Sequence, residues 1–162
     1  MSLARLRSFY FPALLASLLV LAVSYYLQPL VGLAPCALCL SQRLMLGLYA
    51  LVCLLALLRG PRRRGYAWMA SACALGGALL AGRHVWLQGG PAPADGCPMP
   101  LMARPLGEVL GRLLLGSPEC VSISWSFLDL TLPEWSLLAF VLLAMPALHS
   151  LLAYRFRQLV VA

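Results

Sequence analysis

Four stretches of this chain are long and apolar enough to cross a bilayer, and this constrains the fold more than any other feature. A membrane helix needs roughly 20 mostly apolar residues. Residues 9–28, 36–58, 65–88 and 133–154 each meet that requirement. Inside hydrocarbon every backbone N–H and C=O must be satisfied without water, and a helix satisfies them within its own segment. The expected architecture is an all-α membrane protein. A four-helix transmembrane bundle covers 1–162 as a single domain, with loops at 29–35 and 89–132. Composition agrees, because 62% of the residues are hydrophobic and only 10% charged. That leaves too little polar surface to cover a water-soluble globule.

The first apolar run follows Arg5 and Arg7, as the core of a cleaved leader would. It is long for that role and ends in bulky Tyr25, Tyr26 and Leu27, so we expect a retained span. The net charge of +7 comes from twelve Arg, no Lys and five acidic residues. In so apolar a chain this excess reports membrane orientation rather than a nucleic-acid partner. Arg5, Arg7, Arg59, Arg62, Arg63, Arg64, Arg155 and Arg157 all fall on one side of a four-span topology. That side carries +8 and is expected to be the cytoplasm, with both termini there. The other four Arg and the five acidic residues leave −1 for the remainder. The loops at 29–35 and 89–132 then face outward.

This topology sorts the six cysteines. Cys53 and Cys73 fall in mid-span and are read as packing. Cys36, Cys39, Cys97 and Cys120 face the outer compartment, where disulfides form and persist. Four such cysteines allow three pairings. Cys36-Ala37-Leu38-Cys39 is a C-x-x-C motif that opens a helix directly after Pro35. Its thiols lie one turn apart, about 5 Å between Cα atoms, within reach of a disulfide. A helix N-terminus carries positive partial charge, which stabilises an anionic sulfur. Arg43, four residues after Cys39, shares that face about one turn inside the membrane. A charge there is costly and needs a partner. A thiolate or an anionic ligand oxygen would serve, and snorkelling to the headgroups is the plain alternative.

Other readings of the motif are weaker. Zinc would want a second C-x-x-C, and Cys97 and Cys120 stand too far apart to supply one, so no metal is expected. Haem attachment needs His after the second Cys, and Leu40 stands there. A disulfide closed within one helical turn removes almost no chain entropy, so a redox role explains the pair better than a structural one. Cys97 and Cys120 enclose 22 residues, where a disulfide has ordinary structural value. Their Pro- and Gly-rich flanks would let a partner thiol approach. Between them Met102, Leu106, Val109, Leu110, Leu113 and Leu114 recur at helical spacing, and Glu108 and Arg112 form an i,i+4 pair. This predicts a short helix lying in the outer interface; packing over the bundle mouth is the alternative.

Pro35-Cys36-Ala37-Leu38-Cys39 followed by Gln42-Arg43 resembles the outer motif of the DsbB family. So do the four-span topology and the later cysteine pair in the second outer loop. Gly116-Ser117-Pro118-Glu119-Cys120, Trp125-Ser126-Phe127-Leu128, Pro133-Glu134-Trp135-Ser136 and Arg83-His84-Val85-Trp86-Leu87-Gln88 are similar to that family as well. The resemblance covers nearly the whole chain. It implies a multi-pass protein of the bacterial inner membrane, a thiol–quinone oxidoreductase. Such an enzyme reoxidises a periplasmic DsbA-type dithiol oxidase and passes two electrons to a quinone, ubiquinone or menaquinone, drawn from the membrane lipid pool. Carried over by position, Cys97 is attacked by the partner and Cys120 is its mate. Cys36 exchanges with Cys120, Cys39 faces the quinone, and Arg43 lies near the quinone ring. His84 is a candidate for quinone contact or proton handling, or else a polar residue at a helix end. Gln42 stands where some members have Glu, and no chemical role is assigned to it. Two alternatives accompany this reading: a paralogue serving another periplasmic thiol partner, and a membrane scaffold with structural disulfides.

Overall fold

The structure, a computed structural model, describes residues 3–31, 36–59, 64–88, 90, 105–116 and 126–161. Among them the elements are α1 (Leu3–Val31), α2 (Ala37–Arg59), α3 (Arg64–Leu87), α4 (Leu106–Leu115), β1 (Ser126–Phe127), β2 (Leu130–Thr131) and α5 (Leu132–Val161). Helices α1, α2, α3 and α5 each contain a window long and apolar enough to cross a membrane. These are the four spans expected. α1 begins before residue 9 and α5 runs beyond residue 154, because a helix stops where its backbone ladder stops and not where its apolar content does. Pro12 and Pro29 lie within α1 and Pro146 within α5. Each removes one ladder N–H, which membrane helices tolerate.

The four long helices close a ring: α1 packs on α2, α2 on α3, α3 on α5, and α5 on α1. The seam between α3 and α5 is built on small residues. Ala67, Ala70, Ala74, Gly77 and Ala81 are all buried along one face of α3, at the i, i+3, i+7 spacing that lets membrane helices approach closely. Phe140 of α5 lies directly over Gly77, and a Cβ there would overlap its ring. In the same buried cluster, the Tyr49 hydroxyl of α2 donates to the Leu143 carbonyl of α5 at 2.9 Å. Cys53 is fully buried in this core and Cys73 packs against it half-buried, the packing roles expected of them. Large apolar side chains face outward instead, Leu79 at 76% and Leu142 at 64% exposure. Such a surface suits lipid and not water.

The expectation of helix alone between α3 and α5 is incomplete. β1 and β2 pair antiparallel, Ser126 with Thr131 and Phe127 with Leu130. Leu128 and Asp129 join them with φ of 54° and 61°. Left-handed backbone at both central positions is the turn that matches strand twist, and it is rarely signalled by Leu. The hairpin leads straight into α5 through a capping box. Thr131 precedes the first turn, and the Glu134 carboxylate accepts the Thr131 backbone N–H at 2.6 Å. The Thr131 hydroxyl lies 2.9 Å from both Glu134 and the Gln88 side-chain carbonyl oxygen at the end of α3. Trp135 then donates its indole N–H back to the Phe127 carbonyl at 3.1 Å.

Helix α4 forms where the periodicity places it, with Arg112 and Glu108 paired at 3.3 Å. Its Leu106, Leu110 and Leu114 are exposed, while Arg112 and Leu113 are half-buried toward the bundle. The Ser41 hydroxyl of α2 donates to the Leu113 carbonyl at 2.6 Å. Just after α4, Gly116 adopts φ 94°, and a Cβ there would press on Leu38 and Leu87. Glycine is required at that point for both conformation and space. Met102, expected on the same apolar stripe, lies outside the described residues.

Candidate redox site at the mouth of the bundle

The site begins with how α2 starts. Cys36 stands just outside the helix, and its carbonyl accepts the Leu40 N–H at 3.2 Å. Its sulfur accepts the Cys39 backbone N–H at 3.4 Å. These are the two bonds an N-cap residue makes, with sulfur in the place usually taken by a serine or aspartate oxygen. The capping bond holds the Cys36 sulfur at the positive end of the helix. Cys39, one turn on, brings its own sulfur to 3.2 Å from that of Cys36. This is a thiol–thiol contact about 1 Å longer than a disulfide bond.

The two thiols differ in surroundings. Cys36, Ala37 and Leu38 are buried, Cys39 is half-exposed and Leu40 is exposed. Cys36 is therefore the more deeply buried of the two, and both sulfurs lie within 4.8 Å of a His84 ring nitrogen. On the inner side His84 of α3 is 4% exposed, with Nε2 3.6 Å from the Cys36 sulfur. Its other ring nitrogen, Nδ1, lies 3.3 Å from the Gln42 side-chain amide nitrogen. The Gln42 carbonyl oxygen in turn accepts the Ser136 hydroxyl of α5 at 2.8 Å. Three helices thus supply one buried polar chain that ends on a sulfur.

Arg43 has a different set of neighbours. Its Nε donates to the Ser24 hydroxyl at 2.8 Å, Nη1 to the Gln28 side-chain oxygen at 2.6 Å and Nη2 to the Ser24 carbonyl at 2.9 Å. The guanidinium also lies 4.6 Å from the Tyr25 ring centroid, a cation–π contact. The partner this intramembrane charge needs is the last turns of α1. Cys97 and Cys120, with the pairing across 89–132, lie outside the described residues.

Cys36, Cys39 and His84 bring their ligand-type atoms within 4.8 Å of one another, the one such group among the described residues. Two thiols and an imidazole are donors of a kind that could hold a soft metal ion.

Sequence reasoning passed over Gln42 and Ser136 and left His84 undecided. A signal for each was present. His84 continues the small-residue stripe of α3 by one further heptad from Gly77 and Ala70, so its side chain enters the same buried seam. Gln42 is an uncharged polar residue about one turn inside a span, where an unsatisfied amide is costly. Ser136 lies on the face of α5 that Phe140 also occupies, one turn apart.

Four apolar helices with a C-x-x-C pair at the mouth of the bundle, backed by a buried imidazole, define a multi-pass membrane protein with a dithiol centre. Comparison with known proteins gives this class its family. The family profile for Disulfide bond formation protein DsbB matches residues 6–150. The Disulfide bond formation protein B 2 of Pseudomonas entomophila is 67% identical, with 98% of each chain covered. The protein of the same name from Pseudomonas putida is 57% identical over 96% of each. Disulfide bond formation protein B 1 of Pseudomonas aeruginosa is 39% identical, covering 87% of this chain and 91% of that one. The chain belongs to the DsbB family and is a disulfide-forming oxidoreductase.

Proposed function

We propose that the protein is a thiol–quinone oxidoreductase of the bacterial inner membrane that reoxidises a periplasmic DsbA-type dithiol oxidase. The observation that carries this reading is the division between the two thiols. Cys36 is buried beside His84, whereas Cys39 is only partly buried and is the thiol that a lipid-soluble acceptor could reach. Each exchange is attack by a thiolate on a disulfide sulfur. A partner thiolate attacks Cys97 and releases Cys120, and Cys120 attacks Cys36 and releases Cys39 with the electron pair. The partner's second thiolate then attacks the partner sulfur of the mixed disulfide and releases Cys97, and Cys97 attacks Cys120 and releases Cys36. When bound, a quinone supplies the final acceptor for two electrons and two protons.

The residues present fit such a ring. Cys39 is partly exposed and Leu40 and Tyr25 are exposed, and Tyr25 lies against the Arg43 guanidinium one turn beyond Cys39, so a thiol, a cation and apolar surface are all near the start of α2. Three of the five Arg43 N–H groups are taken up by α1 among the described residues. Its guanidinium would give charge-assisted hydrogen bonds to a ring oxygen. Cytoplasmic termini follow from the +8 side, and α4 with its exposed leucines suits the outer interface.

The test is direct. Purified protein mixed with quinone and a reduced periplasmic C-x-x-C protein should oxidise the partner stoichiometrically. Cys39→Ser should abolish quinone reduction, and Cys97→Ser should abolish only exchange with the partner. Absence of quinone reduction by the unmodified protein would overturn the reading. The designations 1 and 2 carried by the Pseudomonas relatives favour a second reading, in which this chain is one of two such proteins and serves a different dithiol partner. Trapping the mixed disulfide in a single-cysteine outer loop and identifying the trapped protein separates the two.

A further inference from the structure

Gln42 occupies an unusual position for a residue without assigned chemistry. It is 6% exposed, it lies one turn from Cys39, and both ends of its amide are engaged. Its oxygen is fixed by the Ser136 hydroxyl at 2.8 Å, which leaves the amide nitrogen facing His84 Nδ1 at 3.3 Å. An amide N–H can only donate, so Nδ1 must accept, and the single proton of a neutral imidazole is then on Nε2. Nε2 is the atom 3.6 Å from the Cys36 sulfur. We propose that Gln42 is a positioning residue: anchored by Ser136, its amide holds His84 as the neutral Nε2–H tautomer, so that an N–H donor always faces the Cys36 sulfur.

This deepens the redox reading, and its chemical use rests on that reading. When the Cys97 thiolate attacks the Cys120 sulfur of the Cys120–Cys36 disulfide, the Cys97–Cys120 bond forms and the Cys120–Cys36 bond breaks. Cys36 leaves with the electron pair of the broken bond. The departing sulfur is buried, and donors facing it among the described residues include the Cys39 backbone N–H and, in this tautomer, His84 Nε2–H. A preorganised donor at the place where charge develops assists such a step without rearrangement. The opposite tautomer would turn a lone pair toward that same sulfur. An amide is the side chain that can donate to Nδ1, and a carboxylate in its place could only accept.

The experiment reads the ring directly. The protein, labelled with 15N at histidine and held in detergent micelles with Cys36 and Cys39 oxidised, is measured by two-bond 15N–1H correlation. The chain has two histidines, and His149→Gln assigns the signals. His84 should show an unprotonated Nδ1 and a protonated Nε2. Gln42→Glu should move Nδ1 into the protonated 15N range. Protonated Nδ1 in the unmodified protein overturns the proposal. So does an unchanged ring in Gln42→Glu. If that variant does not fold, the spectrum of the unmodified protein decides alone. The tautomer is read without partner or quinone, so failure of the redox reading shows as lost thiol oxidation with the ring signals unchanged.

Discussion

The Nε2 atom of His84 lies 3.6 Å from the sulfur of Cys36, across 48 residues of sequence and between two different spans. A buried donor on a sulfur that must leave with negative charge stabilises it by about 1.5 kcal/mol or more. His84→Leu should therefore slow, by about tenfold, reduction of the Cys36–Cys39 bond by attack at the less buried Cys39, the direction that releases Cys36. Stopped-flow reduction by a small dithiol measures this. A rate equal to that of the unmodified protein would remove His84 from the chemistry.

Arg43 ties α2 to the end of α1 through three hydrogen bonds. Arg43→Ala should lower thermal stability in micelles by roughly 1–3 kcal/mol and raise the KM for quinone by about tenfold. Arg43→Lys keeps the charge and loses the planar fork, so it should recover only part of both. If KM stays constant while stability falls, Arg43 is a helix tie alone.

Gly77 has no room for a side chain beneath Phe140. Gly77→Val should cost about 1–3 kcal/mol by overpacking. The double variant Gly77→Ala with Phe140→Leu should recover part of the loss. Thermal unfolding followed by helical circular dichroism reads both, and additive effects would show that the two residues do not meet.

Glu134 accepts the Thr131 backbone N–H at the start of α5. Glu134→Ala removes one half of the capping box and should cost about 1 kcal/mol. Hydrogen exchange should rise at the first turn of α5 and not at its middle. Uniformly faster exchange would mean that the box has a global role.

Gly116 joins a left-handed φ to contact with Leu38 and Leu87. Gly116→Ala should push α4 off the bundle mouth, weakening the Ser41–Leu113 hydrogen bond. Protease cleavage near α4 should rise severalfold while the melting temperature of the spans hardly moves. Unchanged cleavage would show that the contact is dispensable.

The spans and the C-x-x-C were legible because each rests on local rules, apolar length in one case and three-residue spacing in the other. Glu108 and Arg112 met for the same reason. The polar chain through Ser136, Gln42 and His84 was not read, because its links come from three helices and each residue taken alone looks like an ordinary polar side chain. The partner of Arg43 was half legible: a charge in a span demanded one, but the sequence could not say that Ser24, Tyr25 and Gln28 would supply it. The Leu128-Asp129 turn escaped because Leu is a poor signal for left-handed backbone, which the pairing of Ser126 with Thr131 imposes.

The contact of Gly116 with Leu38 also sets a length. Leu38 lies between the two cysteines of the motif, and Cys120 follows Gly116 by four residues. Four residues reach at most about 14 Å. A thiol confined to a sphere of that radius has an effective concentration on the order of 0.1 M. In the proposed relay, exchange between Cys120 and Cys36 would then be a first-order event that dilution does not slow, and the bimolecular encounter on the thiol side would be the one with the soluble partner.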